Sequence, residues 1–492
     1  VSEQYTSGGY QYDRGVRAAI IALTLIALTV AIAVYTPMLQ YFGNEYNTGS
    51  SKVGPGLASV NYPNVVYVAV NTKYASLVGN ALQMWTFGNL TIIEMVADSY
   101  AQVKQLASYP YVVSVYGYYQ PAQVPEPVSN ALAFLTQSEL EQSLNEAELA
   151  NYDIIYNVSR LGPTDYPGNN ITVCIIDTGI DYLDPDLSHA VWVLVSFTVT
   201  TNNGQPLVWI NGVNGTLQQA WQVDQMIYAE TGHYAWMDRF GHGTMVAGII
   251  ASSGVLSNGE YIGLTPGVRL VDIKAFNASG VASINTILNA LEWVYNNAEK
   301  YDIKVCSFSW GVPVASNGND PVSLATEQLV NEGIVVVVAA GNSYLFPYTI
   351  NVPAVAPGVI AVGAWDPWLH EVAFFSSAGP APNGEVKPDF VAPGVWVTSD
   401  VPTTVVSVMQ EWALEYMPQL IKQPGYEMDC GTSFATPYAA AMAVKAIQYY
   451  YDTYHRYPTP QQVKDILNQW SIPINAAGKD IFTGYGLVVG PH

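Results

Sequence analysis

Cysteine is scarce in this chain: three residues in 492, at Cys174, Cys306 and Cys430. An odd, small number without metal-like spacing excludes a disulfide scaffold and a cysteine-built metal centre. Charge is scarce as well. Only 11% of residues are charged, and 17 Lys and Arg face 39 Asp and Glu, for a formal net charge of -22. Phosphate backbones are bound by cations, so a chain this poor in Lys and Arg is excluded as a nucleic-acid partner. Internal repeats are absent. Only one long apolar run occurs, and the remaining polarity comes largely from Tyr, Asn, Gln, Ser and Thr, a mix expected of an exported protein.

That run sets the first boundaries. Residues 1–17 form a polar leader ending in Arg14 and Arg17, and 18–36 contain the charge-free stretch AAIIALTLIALTVAIAVY. Its length suits a bilayer span, and the preceding arginines place the leader in the cytoplasm and the bulk outside. A cleaved signal peptide is the alternative, because Ala31-Ile32-Ala33 has the small-x-small form of a cleavage site. Either way the expectation is an extracellular or cell-surface protein, anchored or released.

A Gly/Ser/Asn-rich linker (37–62) leads to a block at 63–119. There Asn64–Val70 reads as a strand, Lys73–Trp85 as a short helix and Leu90–Val96 as a strand. Ser99–Ala107 then reads as a helix and Tyr111–Tyr116 as a strand, which predicts a small α+β (ferredoxin-like, split βαβ) domain. Residues 120–150 read as a proline-rich linker and a connecting helix. From 151 to 492 the pattern changes to near-continuous Val/Ile strands alternating with amphipathic helices. Such alternation predicts an α/β three-layer fold around a mostly parallel sheet, and in such sheets functional residues gather beyond the carboxyl ends of the strands.

Four polar residues fall at such places. The strand Thr172–Ile176 runs into Asp177-Thr178-Gly179; His242 stands between Gly241 and Gly243 at the mouth of an Ala/Ile-rich helix. The strand Val335–Ala339 runs into Ala340-Gly341-Asn342, and Ser433 follows Gly431-Thr432 at the start of a small-residue helix. Each has an ordinary reading by itself, Ser433 as an N-cap and Asp177 as a turn former. Together they supply a nucleophile, a base, an orienting carboxylate and a neutral oxyanion donor, the set acyl transfer needs. Cys430, three residues before Ser433, is the competing nucleophile.

Asp177-Thr178-Gly179, His242-Gly243-Thr244-x-Val246-Ala247-Gly248 and Gly431-Thr432-Ser433-x-Ala435-x-Pro437 resemble the three signatures of the subtilisin-like serine proteases, the subtilases. The likeness runs from about 151 to 489. It implies a Ser433–His242–Asp177 triad with Asn342 as oxyanion donor, acting on polypeptide substrates without a catalytic cofactor. It also implies that Ser309-Trp310-Gly311, Gly341, and Ser279 with Gly280 bind substrate. The block at 63–119 resembles the family's inhibitory propeptide, which implies an intramolecular inhibitor and self-cleavage near 118–123; an adhesive α+β module is the alternative. Asp186 matches a family calcium ligand, but Ser252–Gly259 lacks the pattern that completes that site. Two insertions, Val191–Trp236 and Val401–Met428, depart from the family. A catalytically silent subtilase-fold binding protein is the rival function; an acid-acting relative would need Glu and Asp where His242 and Asn342 stand.

Overall fold

A computed structural model describes residues 52–117, 121–124, 159–314, 316–475 and 478–491. The polar leader, the apolar run at 18–36 and the expected helix within 120–150 lie outside the described residues. Among the described residues, no helix is long and apolar enough to cross a membrane.

The first unit is a four-stranded antiparallel sheet of β1 (Asn64–Asn71), β2 (Ala81–Phe87), β3 (Leu90–Ala97) and β4 (Val112–Gly117), with α1 (Tyr100–Ser108) between β3 and β4. Its order is β2-β3-β1-β4. The expected helix at 73–85 is replaced by a 3-10 turn (Thr72–Leu77) and by β2. Buried Trp85 and Phe87 alternate with exposed Leu82, Thr86 and Gly88, the period of a strand. Asn80 takes φ 61° and breaks the chain before β2. Docking fixes the strand: the Trp85 indole N–H donates to Asn289 at 2.7 Å, and Glu292 accepts the Thr86 amide at 2.6 Å.

After the two-residue strand β5 (Ala122–Gln123) comes the main sheet. Its strands are β6 (Thr172–Asp177), β7 (Val191–Thr200), β8 (Pro206–Ile210), β9 (Arg269–Lys274), β11 (Ile303–Phe308), β12 (Val335–Ala339) and β13 (Ile360–Asp366). The hairpin strand β14 (Glu371–Val372), β15 (Phe390–Pro393), β19 (Ser471–Ile472) and β20 (Leu487–Val488) complete it. The order is β19-β20-β15-β13-β12-β11-β6-β9-β7-β8, with β14 beside β13. The pairs from β7 to β20 are parallel, and only β8, β14 and β19 run the other way. Every residue of β6 and β12 is buried, as a sheet covered on both faces requires. Each buried Val or Ile contributes roughly 1.5–3 kcal/mol.

Helices α2 (Leu217–Thr231), α3 (His242–Ala251), α4 (Ile284–Asn297) and α5 (Pro321–Asn331) follow in order. Further on come α6 (Val408–Tyr416), α7 (Thr432–Tyr454) and α8 (Pro460–Gln469). The short strands β10 (Val281–Ala282), β16 (Val397–Asp400), β17 (Ile421–Gln423) and β18 (Tyr426–Asp429) lie outside the main sheet. Helix α7 crosses β11, β12, β13 and β15 and packs on α3, bringing its N-terminus to the strand ends. The first insertion forms the β7–β8 hairpin and α2, and the second forms α6 and the β17–β18 ribbon. Near the C-terminus, Lys387, Lys464 and Lys479 converge on Asp389 at 2.8, 3.2 and 2.8 Å. Burial pushes the Asp389 carboxyl up, but the three ammonium groups outweigh it and hold it well below the ordinary carboxylate range.

Candidate active site

Asp177 is the last residue of β6 and fully buried. Its Oδ1 accepts the Thr178 amide at 2.7 Å, and its two oxygens lie 2.9 and 3.1 Å from His242 Nδ1. The approach depends on glycine. A Cβ on Gly243 would sit 2.1 Å from the Gly179 carbonyl oxygen and 3.2 Å from Asp177 Cβ, so any larger residue would drive α3 away from β6. Asp238 holds the other side of this helix start, accepting the Gly241 amide at 2.8 Å, the Thr244 amide at 3.0 Å and the Thr244 hydroxyl at 2.8 Å. A carboxylate next to Nδ1 makes that nitrogen the donor and leaves Nε2 as the basic one.

Ser433 is the second residue of α7, so its N–H lies in the first turn, where no intrahelical carbonyl is available. Asn342 follows β12. The Thr432 amide and hydroxyl donate to Asn342 Oδ1 at 3.0 and 2.8 Å, which turns Nδ2 the other way. A Cβ on Gly431 would stand 2.8 Å from Ser433 Oγ and 3.4 Å from Asn342 Nδ2. Hydroxyl and amide therefore face one small space that only glycine at 431 leaves open. The Ser309 hydroxyl donates to the Ser433 carbonyl at 2.7 Å and ties the neighbouring backbone to the helix start.

The structure joins Asp177 to His242, and Asn342 to the turn carrying Ser433. It forms no hydrogen bond between His242 Nε2 and Ser433 Oγ: both are buried and without a hydrogen-bond partner. The His242 ring lies 5.6 Å from the ring of Phe434, the residue after Ser433. Burial pushes the Cys430 thiol well up, and Asp429 beside it adds to the shift; its Sγ accepts the Trp396 amide at 3.1 Å. A thiol held in that form is no nucleophile.

Close to this site, β5 is held between two backbone segments. β5 pairs antiparallel with β10, Gln123 with Val281 and Ala122 with Ala282. On the other side the Gln123 amide donates to the Gly311 carbonyl at 3.3 Å and the Gly311 amide to the Gln123 carbonyl at 3.4 Å. The Val124 amide donates to the Gly280 carbonyl at 3.0 Å. Gly280 and Gly311 therefore both bond to the Gln123–Val124 backbone. Ser279 does not line this pairing; it is exposed, and its amide donates to Asn277 Oδ1 at 2.9 Å. Trp310 is buried and stacks on Phe308 with ring centroids 5.4 Å apart, so its ring belongs to the core. Gly341 is buried, and its amide donates to the Thr432 hydroxyl at 3.3 Å.

Sequence reasoning missed Asp238, Phe240 and Lys274. An Asp three residues before Gly241 is a capping signal that could have exposed the first. Phe240 and Val124 approach the same face of Gly280, whose added Cβ would meet them at 3.1 and 2.7 Å. Buried Lys274 donates to the Met237 carbonyl. Burial lowers its pKa, while Asp238, Asp224 and Asp272 oppose that shift. Asp224 on the inserted helix accepts the Met237 amide at 2.8 Å and the Tyr182 hydroxyl at 3.1 Å, fastening the first insertion behind the Asp177 turn.

Asp186 does not stand alone. One carboxylate oxygen each of Asp184, Asp186 and Asp400, all buried, lie within 4.8 Å of one another. Burial and the neighbouring Asp181 and Asp186 push the Asp184 carboxyl up to about 7, against hydrogen bonds that pull it down. Asp186 accepts hydrogen bonds from the Ser253 hydroxyl at 3.1 Å, the Leu256 amide at 3.2 Å and the Tyr426 hydroxyl.

Residues 168–486 match the model of the Subtilase family. The chain is 32% identical over 352 residues to "Serine protease AprX" of Bacillus subtilis (strain 168), covering 69% of each protein. It is 28% identical over 326 residues to "Subtilisin E" of the same organism, covering 66% of this chain and 65% of that protein. The chain thus spans about two thirds of the length of these relatives. Among solved structures, "Sphericase" matches with TM-score 0.51 and 25% identity over 69% of this chain and 97% of that one. Fervidolysin from Fervidobacterium pennivorans, described as a keratinolytic enzyme related to subtilisin, matches in fold with TM-score 0.59 and 22% identity, covering 89% of this chain and 61% of that one.

Proposed function

The chain belongs to the subtilase family of serine peptidases, and from that premise we propose that it is a serine endopeptidase made as a self-processing zymogen. Ser433 Oγ attacks the peptide carbonyl; His242 Nε2 takes its proton and delivers it to the leaving amine. Asp177 fixes the imidazole tautomer and stabilises the imidazolium, while Asn342 Nδ2 and the Ser433 N–H hold the oxyanion. The observation that carries this reading is the pair of short contacts from Asp177 to His242 Nδ1, which leaves Nε2 as the basic nitrogen. A fluorophosphonate probe tests it. Attachment mapped by mass spectrometry to Ser433 is expected; a processed chain that takes no label is the silent binding protein instead.

Removing the Asn342 amide isolates the oxyanion contribution. Asn342→Ala should lower kcat by about 10²–10³-fold with little change in KM, the size of loss known for such donors in serine peptidases. An unchanged kcat would remove Asn342 from the mechanism.

Residues 63–119 act in this reading as a propeptide, and Ala122–Val124 holds the substrate groove by strand addition. Val124 and Phe240, two residues before His242, approach the same face of Gly280, so in this reading the bond cut in processing lies beyond Val124 rather than within 118–123. Intact mass and N-terminal sequencing of the purified protein should give a new terminus between 125 and 151. A terminus at or before Val124 would refute this register. The run at 18–36 would hold the unprocessed form at a membrane, with the remainder outside the cell; fractionation of the full chain reads this directly.

A structural calcium ion would be held by Asp184, Asp186 and Asp400. The donors are hard oxygens and carry enough charge, and buried Asp400 Oδ2 has no hydrogen-bond partner, so the residues present fit such an ion. The ion would offset three crowded carboxylates and supplies no step of catalysis. Calcium at saturating concentration should raise Tm by several degrees over the chelated protein, and Asp400→Asn should abolish that increment. Equal Tm values with calcium and with chelator would remove the site.

A further inference from the structure

We infer that Asn351 sets the side-chain preference at the cleaved bond, selecting a residue with a carboxamide side chain, Asn or Gln, on the acyl side. The inference rests on the endopeptidase reading and names its substrate class. Two backbone runs end beside Ser433: Ser309–Gly311, tied to it through the Ser309 hydroxyl, and Gly341–Asn342, tied through Thr432. An extended peptide paired with Gly311, as Gln123 is, delivers its carbonyl to Ser433 with the attached side chain directed between these runs.

That space has a polar floor. Asn351 is anchored to both walls. Its amide donates to the Ala340 carbonyl at 2.9 Å, and the next residue, Val352, exchanges hydrogen bonds with Val312 at 2.9 and 3.0 Å. Its side chain rises between the two glycines. A Cβ on Gly311 would lie 3.0 Å from Asn351 Cβ and 3.2 Å from Nδ2; one on Gly341 would lie 2.5 Å from Cγ and 2.6 Å from Nδ2. Both glycines are therefore needed to admit the carboxamide, and the carboxamide in turn fills the depth that an aromatic side chain would require.

The group is not consumed by the fold. Asn351 is 9% exposed, and its Oδ1 is buried without a hydrogen-bond partner. An unpaired buried amide is costly, and a ligand that pairs it recovers that cost. A substrate carboxamide carries both donor and acceptor, so it complements Asn351 whichever way the amide is turned. An aliphatic or aromatic side chain would leave the group unpaired, and sites built to hydrogen-bond a substrate group discriminate strongly against analogues lacking it.

The test uses the processed full chain and fluorogenic peptides that differ only in the residue on the acyl side (Gln, Asn, Leu, Phe, Lys), with active sites counted by fluorophosphonate titration. Wild type should cleave the Gln and Asn peptides with kcat/KM at least about tenfold above Phe. Asn351→Gly should open the floor and bring Phe above Gln, and Asn351→Asp should favour Lys. Wild type preferring Phe, or variants with titratable sites and an unchanged order of peptides, overturns the role of Asn351 and leaves the endopeptidase standing. Wild type without titratable sites overturns the endopeptidase reading and this inference with it.

Discussion

Ser433→Ala should give a folded, full-length chain that neither cuts itself nor hydrolyses peptides. The hydroxyl is buried without a hydrogen-bond partner, so removing it leaves no partner unsatisfied and a loss of stability is not expected. The backbone contact to this position is kept, because the Ser309 hydroxyl donates to the Ser433 carbonyl and not to its side chain. Activity behaves differently. Without Oγ there is no nucleophile, and the oxyanion donors alone sustain only the small residual rate seen when a triad member is lost. The fall should be on the order of 10⁴–10⁶-fold in kcat. Melting temperature, intact mass and peptide turnover measured together distinguish this from misfolding. A variant that still processes itself in dilute solution at the wild-type rate would mean that Ser433 is only the cap its position also suits.

Much of this site was legible because parallel sheets concentrate chemistry at one edge. The buried Val/Ile strands announced β6 and β12, and the residues that follow them, Asp177 and Asn342, stand at that edge. The glycines beside Asp177, His242 and Ser433 were also readable, although their reason is spatial: Gly243 admits the Gly179 carbonyl, and Gly431 clears the space shared by Oγ and Nδ2. What stayed hidden depended on contacts across long separations. Lys73–Trp85 carries helix-compatible spacing, yet docking on Asn289 and Glu292, some 200 residues on, makes its second half a strand. The family resemblance implies that Ser279 binds substrate with Gly280, but Asn277 takes the Ser279 amide and the backbone pairing with Val124 falls to Gly280. Trp310 is expected on the substrate strand, while the direction of its ring is set by Phe276 and Phe308. Asn351 carried no signal at all, because a polar residue before Val352-Pro353 becomes informative only once two glycines close around it.

Asp177→Asn should be nearly as damaging as loss of the nucleophile while leaving the fold intact. The carboxylate accepts from His242 Nδ1 and from the Thr178 amide. An ionised carboxylate has only acceptors, so it enforces Nδ1–H and leaves Nε2 unprotonated. An Asn side chain of the same shape can keep its carbonyl on the Thr178 amide and present its NH₂ to the imidazole. Nδ1 then becomes the acceptor, the proton moves to Nε2, and the nitrogen meant to receive the Ser433 proton is already occupied. The positive charge that develops on His242 also loses its counterion in a buried site. Together these should lower kcat by about 10⁴-fold, as the same exchange does in other triads, with KM changed far less if substrate pairs with Gly280 and Gly311 in the proposed way, as Gln123 and Val124 do. Asp177→Glu would not restore the rate, since the close fit of Gly243 against Gly179 and Asp177 Cβ leaves no room to shift α3 for a longer side chain. A kcat within tenfold of wild type in Asp177→Asn would show that His242 is oriented by something else, and buried Asp238, which holds the start of α3, would become the group to examine.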